Sequence, residues 1–183
     1  MKRCEWAKKE PNLTYHDKEW GRPQHEDQKL FEFLILEGAQ AGLSWTTILN
    51  RRDGYRKAFS NFDANLVSKY SQKRVEELLG DESIIRNSLK INSAINNARA
   101  FLKIQQEFGS FDKYLWGFVN GKPIKNKFKK LSDLPASTDL SEKLSKDLKK
   151  RGFSFVGPTI CYALMQAVGL VNDHTTGCFM HGK

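Results

Sequence analysis

No stretch of this sequence stays apolar for long. The longest candidate, residues 30–43, is interrupted by Glu32, Glu37 and Gln40 and falls short of the about 18 apolar residues that a membrane-crossing helix needs. A secretion signal is missing as well: the basic start Met1-Lys2-Arg3 runs straight into Cys4-Glu5-Trp6-Ala7-Lys8-Lys9-Glu10, with no apolar segment of about 7 to 15 residues. A cytoplasmic protein without a membrane partner is expected. Cysteine is scarce, with three in 183 residues. In a reducing compartment that is a poor disulfide set, so each reads as a metal ligand, a nucleophile or a small buried apolar group. No repeat, low-complexity tract or Gly/Ser linker divides the chain, so residues 1–183 read as one domain.

What is present is aromatic and basic. Twelve Phe, five Tyr and four Trp exclude a disordered chain, which lacks the apolar surface to offset its entropy. Lys and Arg outnumber Asp and Glu by 30 to 21, a formal charge of +9. Such a balance points to nucleic acid, an anionic surface or plain solubility. Lys122, Lys125, Lys127, Lys129 and Lys130 form one cluster, and Lys143, Lys146, Lys149, Lys150 and Arg151 another. On position alone, Lys143, Lys146 and Lys150 share a solvated helix face.

The periodicity predicts an all-α fold. Leu30, Phe31, Phe33, Leu34 and Leu36 follow helical spacing, with Asp27 as a cap, for a helix over about residues 27–40. Gly42 breaks it, and Ser44 caps a new start carrying Trp45, Ile48 and Leu49. Asp63 and Ser71 are further caps, Val75, Leu78 and Leu79 give a short helix that Gly80 ends, and Ser88 opens a long amphipathic one. Residues 111–119 read as helical or irregular, and the Lys-rich stretch after Gly121 as a surface loop. Two more helices, residues 141–150 and 158–168, are joined by Gly152-Phe153-Ser154-Phe155-Val156-Gly157.

That joint, within about residues 141–168, resembles a helix-hairpin-helix, a unit that aims backbone N–H groups at a DNA phosphate. Glycine permits left-handed backbone and close approach, Pro158 sits where a helix loses only an orphan donor, and the helix N-terminus is partly positive. Lys149, Lys150 and Arg151 precede it and Gly157 and Pro158 follow, and all five are candidate DNA contacts. An ordinary αα-hairpin with a glycine cap remains the competing reading of the spacing. A hairpin of this kind grips the backbone and reads no sequence.

Two further groups carry chemistry. Cys4 and His16 lie near one terminus and His174 and Cys178 near the other. Two thiolates and two imidazoles suit tetrahedral zinc, closed to water and therefore structural. On a helical turn His174 and Cys178 would face the same way. Spacing alone leaves chance placement open, with His25 and His181 as substitutes and Cys161 in an apolar run. Glu37 is the other: a carboxylate on an apolar helix needs a partner or a function, although a place at the solvent edge also fits. Tyr15, Trp6, Trp20 and Trp45, taken singly, read as core.

Together, Cys4-x-Trp6, Tyr15-His16-Asp17-x-Glu19-Trp20-Gly21, Leu36-Glu37-x-Ala39-Gln40-Ala41-Gly42-Leu43-Ser44-Trp45, the hairpin, and Gly169-Leu170-Val171-Asn172-Asp173-His174 with Cys178 resemble the 3-methyladenine DNA glycosylase I family of the helix-hairpin-helix glycosylase superfamily, over nearly the whole chain. The resemblance implies a helical fold, a structural zinc on Cys4, His16, His174 and Cys178, and hydrolysis of the N-glycosidic bond of 3-methyladenine in double-stranded DNA, giving free base and an abasic site. It implies stacking by Tyr15 and Trp45, a base-reading and loosely catalytic Glu37, walls from Trp6 and Trp20, and a turn at Gly42 and Leu43 that enters the duplex, with Leu43 as a wedge. Two departures stand out. Asn172 occupies the place of the superfamily's catalytic Asp, with Asp173 one position off, and Pro11-Asn12-Leu13-Thr14-Tyr15 lacks a tyrosine that some relatives carry. No lysine stands at a post-hairpin nucleophile position, so a monofunctional enzyme, acting as a monomer, is expected. The alternatives are a non-catalytic helix-hairpin-helix DNA-binding protein and, further off, a zinc hydrolase with an open coordination position.

Overall fold

A computed structural model describes all of residues 1–183. Its helices are α1 Asn12–Lys18, α2 Asp27–Gln40, α3 Trp45–Leu49, α4 Arg52–Ala58, α5 Ala64–Val67, α6 Gln72–Gly80, α7 Ser88–Phe108, α8 Phe111–Gly117, α9 Asp139–Lys150 and α10 Pro158–Ala167. The expected all-α class holds. One addition is a parallel pair of two-residue strands, β1 Ile124–Lys125 against β2 Val171–Asn172, which ties the Lys-rich loop to the C-terminal segment.

α2 is the axis of the molecule. Leu30 through Ala39 are all buried, so the helix is enclosed on every side by α3, α7, α8 and α10. This explains Glu32 and Glu37, the two carboxylates the apolar run carries inward. Glu32 meets Arg52 at 2.7 Å and Lys29 at 2.6 Å, so its burial is compensated by ion pairing. Glu37 receives no such partner. One continuous core runs from Cys4 to Met180, bringing both termini onto the same body.

Most caps stand where expected. Ser44 accepts from Thr47 N at 3.1 Å, Asp63 from Asn65 N at 2.8 Å, and Ser71 from Arg74 N at 3.4 Å. One does not. Asp27 is the first residue of α2 rather than its cap, and its carboxylate instead accepts from Phe111 N and Asp112 N at 2.9 and 2.8 Å, capping α8 from a distance. α7 opens at Ser88 as expected, with Asn87 as its cap. The turn holding His174 and Cys178 is not helical: it is an irregular segment after β2.

α9 and α10 make the hairpin. Gly152 takes φ +90°, a left-handed turn that a side chain would strain, and its N–H returns to Lys149 O. Pro158 fills the first position of α10 behind Gly157. The loop between them is anchored from α7: Asn96 donates to Gly152 O at 2.6 Å, and Asn97 donates to Ser154 O and accepts from Ser154 N, both at 2.9 Å.

Candidate base-binding cavity and metal centre

α1, α2, α3 and α10 enclose a cavity of about 400 Å³ whose lining includes Trp6, Tyr15, Trp20, Glu37 and Trp45. The sequence motifs named these five, and the fold brings all five together. Tyr15 comes from α1, Glu37 from the last turn of α2, and Trp45 from the start of α3, where the Ser44 cap fixes the entry of the chain. The Tyr15 and Trp45 rings are 5.4 Å apart at 54°, and Trp6 meets Trp20 edge-on at 5.0 Å.

Glu37 is 4% exposed. Burial alone pushes its carboxyl up to about 8, with no donor or cation of the chain close enough to oppose the shift. Near neutral pH the free protein therefore carries a largely protonated acid facing an aromatic cavity. Burial, and after it the nearness of Glu37, push the Tyr15 phenol well above its ordinary value. Tyr15 OH, Trp45 Nε1 and Asn12 Oδ1 are sequestered without a hydrogen-bond partner. An orphaned buried polar atom costs about 1–3 kcal/mol, and three around one cavity mark a wall built for a ligand that supplies the missing partners.

Beside the cavity lies the Cys/His cluster. Cys4, His16, His174 and Cys178 are all buried, with their ligand atoms within 4.8 Å of one another. The separations are 3.2 Å for His16 Nε2 to His174 Nδ1, 3.4 Å for His16 Nε2 to Cys178 Sγ, and 3.6 and 3.7 Å from His174 Nδ1 to Cys4 Sγ and Cys178 Sγ. Zinc bonds of about 2.0–2.3 Å imply tetrahedron edges of about 3.3–3.8 Å. These four of the six separations match such an ion in size, and the donor set matches it in chemistry. Each imidazole also has its outer nitrogen engaged: His16 Nδ1 meets Asp17 Oδ1 at 2.8 Å, and His174 Nε2 meets Trp20 O at 3.1 Å. Those contacts fix the ring orientations that metal ligation requires. The Arg3 guanidinium, followed by His16, holds the Asp17 carboxyl down at about 2.

Gly21 closes this corner. It has φ +73°, and a Cβ there would lie 3.0 Å from His174 Nε2, so the turn after Trp20 admits no side chain without displacing a candidate ligand. Asp17 and Gly21 both stand in the motif around Tyr15, and their supporting roles are invisible without the fold.

The expected DNA-facing residues divide. Gly42 and Leu43 form an exposed turn just past α2, Leu43 being 38% exposed. Lys90 Nζ braces that turn by donating to Ala39 O and Ala41 O, both at 2.7 Å. Lys149 and Lys150 are exposed, and a Cβ on Gly157 would meet nothing within 4 Å. Arg151 departs from expectation. Its donors are spent on Asp147 at 2.6 Å and Glu107 at 2.7 and 3.2 Å, and its guanidinium lies over Phe108 and Tyr114. It clamps α9 to α7 rather than offering a free charge.

Comparison with known proteins agrees with this geometry. The family model for methyladenine glycosylase matches residues 6–181. The chain belongs to that family. Among methyladenine glycosylases, the Escherichia coli (strain K12) DNA-3-methyladenine glycosylase 1 is 50% identical over 179 residues, covering 97% of this chain and 96% of the relative. A Haemophilus influenzae DNA-3-methyladenine glycosylase is 44% identical over 177 residues, 96% of each chain. A crystal structure of 3-methyladenine DNA glycosylase I superposes with a TM-score of 0.96 at 49% identity, covering 98% of this chain and all of the other. The Staphylococcus aureus enzyme, solved to define 3-methyladenine recognition, superposes at 0.95 with 37% identity over 99% and 97% of the two chains.

The sequence reading overlooked the neutral part of the cavity wall. Asn12, Thr46, Leu131, Leu134 and Gln166 also line it. Leu131 and Leu134 come from the Lys-rich loop, as apolar residues within a charged segment. Asn12 stands in the segment that lacks the relatives' tyrosine, and its Nδ2 donates to Thr46 Oγ1 at 2.9 Å.

Proposed function

We propose that this methyladenine glycosylase excises 3-methyladenine from double-stranded DNA as a monofunctional enzyme and leaves an abasic site. The observation that carries the reading is the buried, unpaired Glu37 carboxyl within an aromatic cavity ringed by orphaned polar atoms. Methylation at N3 makes the nucleoside cationic. A cation entering beside Glu37 favours the ionised carboxylate, which then accepts from the exocyclic amine, while the Tyr15 and Trp45 faces attract the charged ring. A normal, neutral adenine gives Glu37 no such reason to ionise.

Reaching the cavity requires the nucleotide to leave the stack, at a cost of a few kcal/mol. Leu43, on its exposed turn, fills the gap as a wedge, and Gly42 lets the turn approach the duplex. Lys149, Lys150, Gly157 and Pro158 hold the phosphate backbone through charge and helix N-terminal N–H groups. In the chemical step the bond between C1′ and N9 breaks with its electron pair going to the base, which departs neutral. Water adds its oxygen to C1′ and gives up a proton. The positive charge of the bound base already weakens that bond, so interactions that hold the extruded nucleotide do most of the work. No lysine lines the cavity, which accords with hydrolysis and no lyase step.

Cys4, His16, His174 and Cys178 would hold a zinc ion, which would brace the two termini rather than take part in the reaction, since four protein ligands would leave no position for water. The whole chain acts as one domain, as a monomer in the cytoplasm. The test is base release. Duplex DNA carrying 3-methyladenine should lose free 3-methyladenine on incubation with the zinc-loaded protein. DNA binding without release would favour the non-catalytic helix-hairpin-helix reading.

A further inference from the structure

Asp173 is a fully buried carboxylate that the reaction scheme leaves unused. Three donors converge on it: Asn126 Nδ2 at 2.7 Å and Tyr162 OH and Gln166 Nε2 at 2.5 and 2.8 Å. The last of these reaches the cavity, because Gln166 is one of its lining residues. A carboxylate only accepts, so the Gln166 amide cannot turn over: its NH2 end must face Asp173. That leaves Oε1 as the polar end open to a ligand, and it is not among the sequestered orphan atoms.

We propose that Gln166 is a second reader of the extruded base and that Asp173 is the positioning residue that commits its amide to acceptance. The proposal rests on the base-excision reading given above. The amine at position 6 of adenine carries two N–H bonds. Glu37 takes one, and the other, once enclosed, needs an acceptor of its own or loses a hydrogen bond. Gln166 Oε1 is an acceptor of fixed orientation in the same cavity wall. The pair also rejects the wrong purine. A 6-oxo base methylated at N3, such as 3-methylguanine, would set its carbonyl oxygen against acceptors, and a site built to receive N–H groups discriminates strongly against a base that lacks them. The carboxylate displaced by one position from the superfamily's catalytic Asp thereby acts through Gln166 in selecting the base.

The experiment uses duplex DNA containing both 3-methyladenine and 3-methylguanine, with the released bases separated and quantified. Gln166→Met should lower kcat/KM for 3-methyladenine by about tenfold and shrink the preference over 3-methylguanine by a similar factor. Rate and preference both held within twofold would overturn the role of Gln166 while leaving base excision intact. Failure of the unaltered protein to release either base would instead remove the base-excision reading. Asp173→Asn, whose side chain can donate as well as accept, should also shrink the preference, and adding it to Gln166→Met should shrink it no further. Losses that multiply in the double variant would overturn the positioning role. Should Asp173→Asn not fold, the unaltered protein supplies the readout by NMR. Side-chain amide protons of Gln166 shifted downfield and slow to exchange support the anchored amide, and free-amide behaviour refutes it.

Discussion

His16 Nε2 stands 3.2 Å from His174 Nδ1 although the two lie 158 positions apart in the chain. Two neutral imidazoles cannot hydrogen-bond through nitrogens that both lack a proton, and here their outer nitrogens already face Asp17 Oδ1 and Trp20 O, both acceptors. Both inner nitrogens are therefore lone-pair donors aimed at one point, which a metal ion satisfies. The protein should contain one zinc per chain by elemental analysis. Removing it by chelation should destabilise the fold by at least about 3 kcal/mol, or about 6–12 °C in Tm. The cavity should suffer too, because Trp20 packs on His174 at 4.6 Å and Tyr15 adjoins His16. Weaker quenching of Trp fluorescence by free 3-methyladenine after chelation would show it.

Asp17 tests the same centre from outside. It orients His16 and is itself held by Arg3 through hydrogen bonds of 2.7–3.0 Å. Asp17→Asn should weaken zinc retention by about 10- to 100-fold, measured by competition with a chromophoric chelator, while every direct ligand remains. Unchanged retention would mean that packing alone sets the ring.

Glu37 gives the pH prediction. Its carboxyl is raised from the ordinary 4.5 to about 8 in the folded protein, so the folded state keeps a proton that the unfolded chain releases. The associated stability is fully present below about 4.5, declines as pH rises, and is gone above about 8. Glu37→Gln, which has nothing to ionise, should gain on the parent across that window, by about 3 kcal/mol at neutral pH, as urea melts at several pH values would read. Catalysis should run the other way. If, as proposed, the ionised carboxylate reads the amine, kcat/KM should climb with pH and level off above about 8, and Glu37→Gln should lose both that limb and most of its preference over normal adenine.

α7 was legible in the sequence because its buried positions repeat at helical spacing, and α2 because its apolar run is long and Gly42 breaks the helix, although Leu30 through Ala39 are buried without a period. α1 was not, since Tyr15 and His16 are adjacent buried residues on a seven-residue helix and show no period. The β1–β2 pair, two residues a side, is too short for any alternation. Cavity residues with rings or charge announced themselves, whereas Gln166 and Asn12 matter through one neighbour each, Asp173 seven positions on and Thr46 34 positions on, and neither pairing shows in the spacing. Asp27 looked like a cap and is one, for a helix that begins 84 residues later.

Leu43 allows duplex handling to be tested apart from base recognition. It lies outside the cavity lining, on an exposed turn braced by Lys90. Leu43→Ala should lower excision from duplex DNA by about tenfold, the gap left by the extruded nucleotide being unfilled. Binding of free 3-methyladenine, followed by Trp fluorescence, should be unchanged. Equal losses in both measurements would place Leu43 within the base site instead.

The basic residues before the hairpin yield a contrast within three consecutive positions. Lys149 and Lys150 are exposed, whereas Arg151 spends its guanidinium on Asp147 and Glu107. Replacing Lys150 with Glu should weaken DNA binding and reduce the slope of log affinity against log salt by about 0.9 for each phosphate no longer neutralised, with Tm nearly constant. Arg151→Ala should do the reverse. Without its ion pairs and its stacking over Phe108 and Tyr114, the protein should be about 1–2 kcal/mol less stable, with the salt slope kept. A slope that falls in Arg151→Ala as much as in Lys150→Glu would mean that Arg151 exchanges Glu107 for a phosphate when DNA binds, since a charge already neutralised within the protein releases no counterion from the duplex.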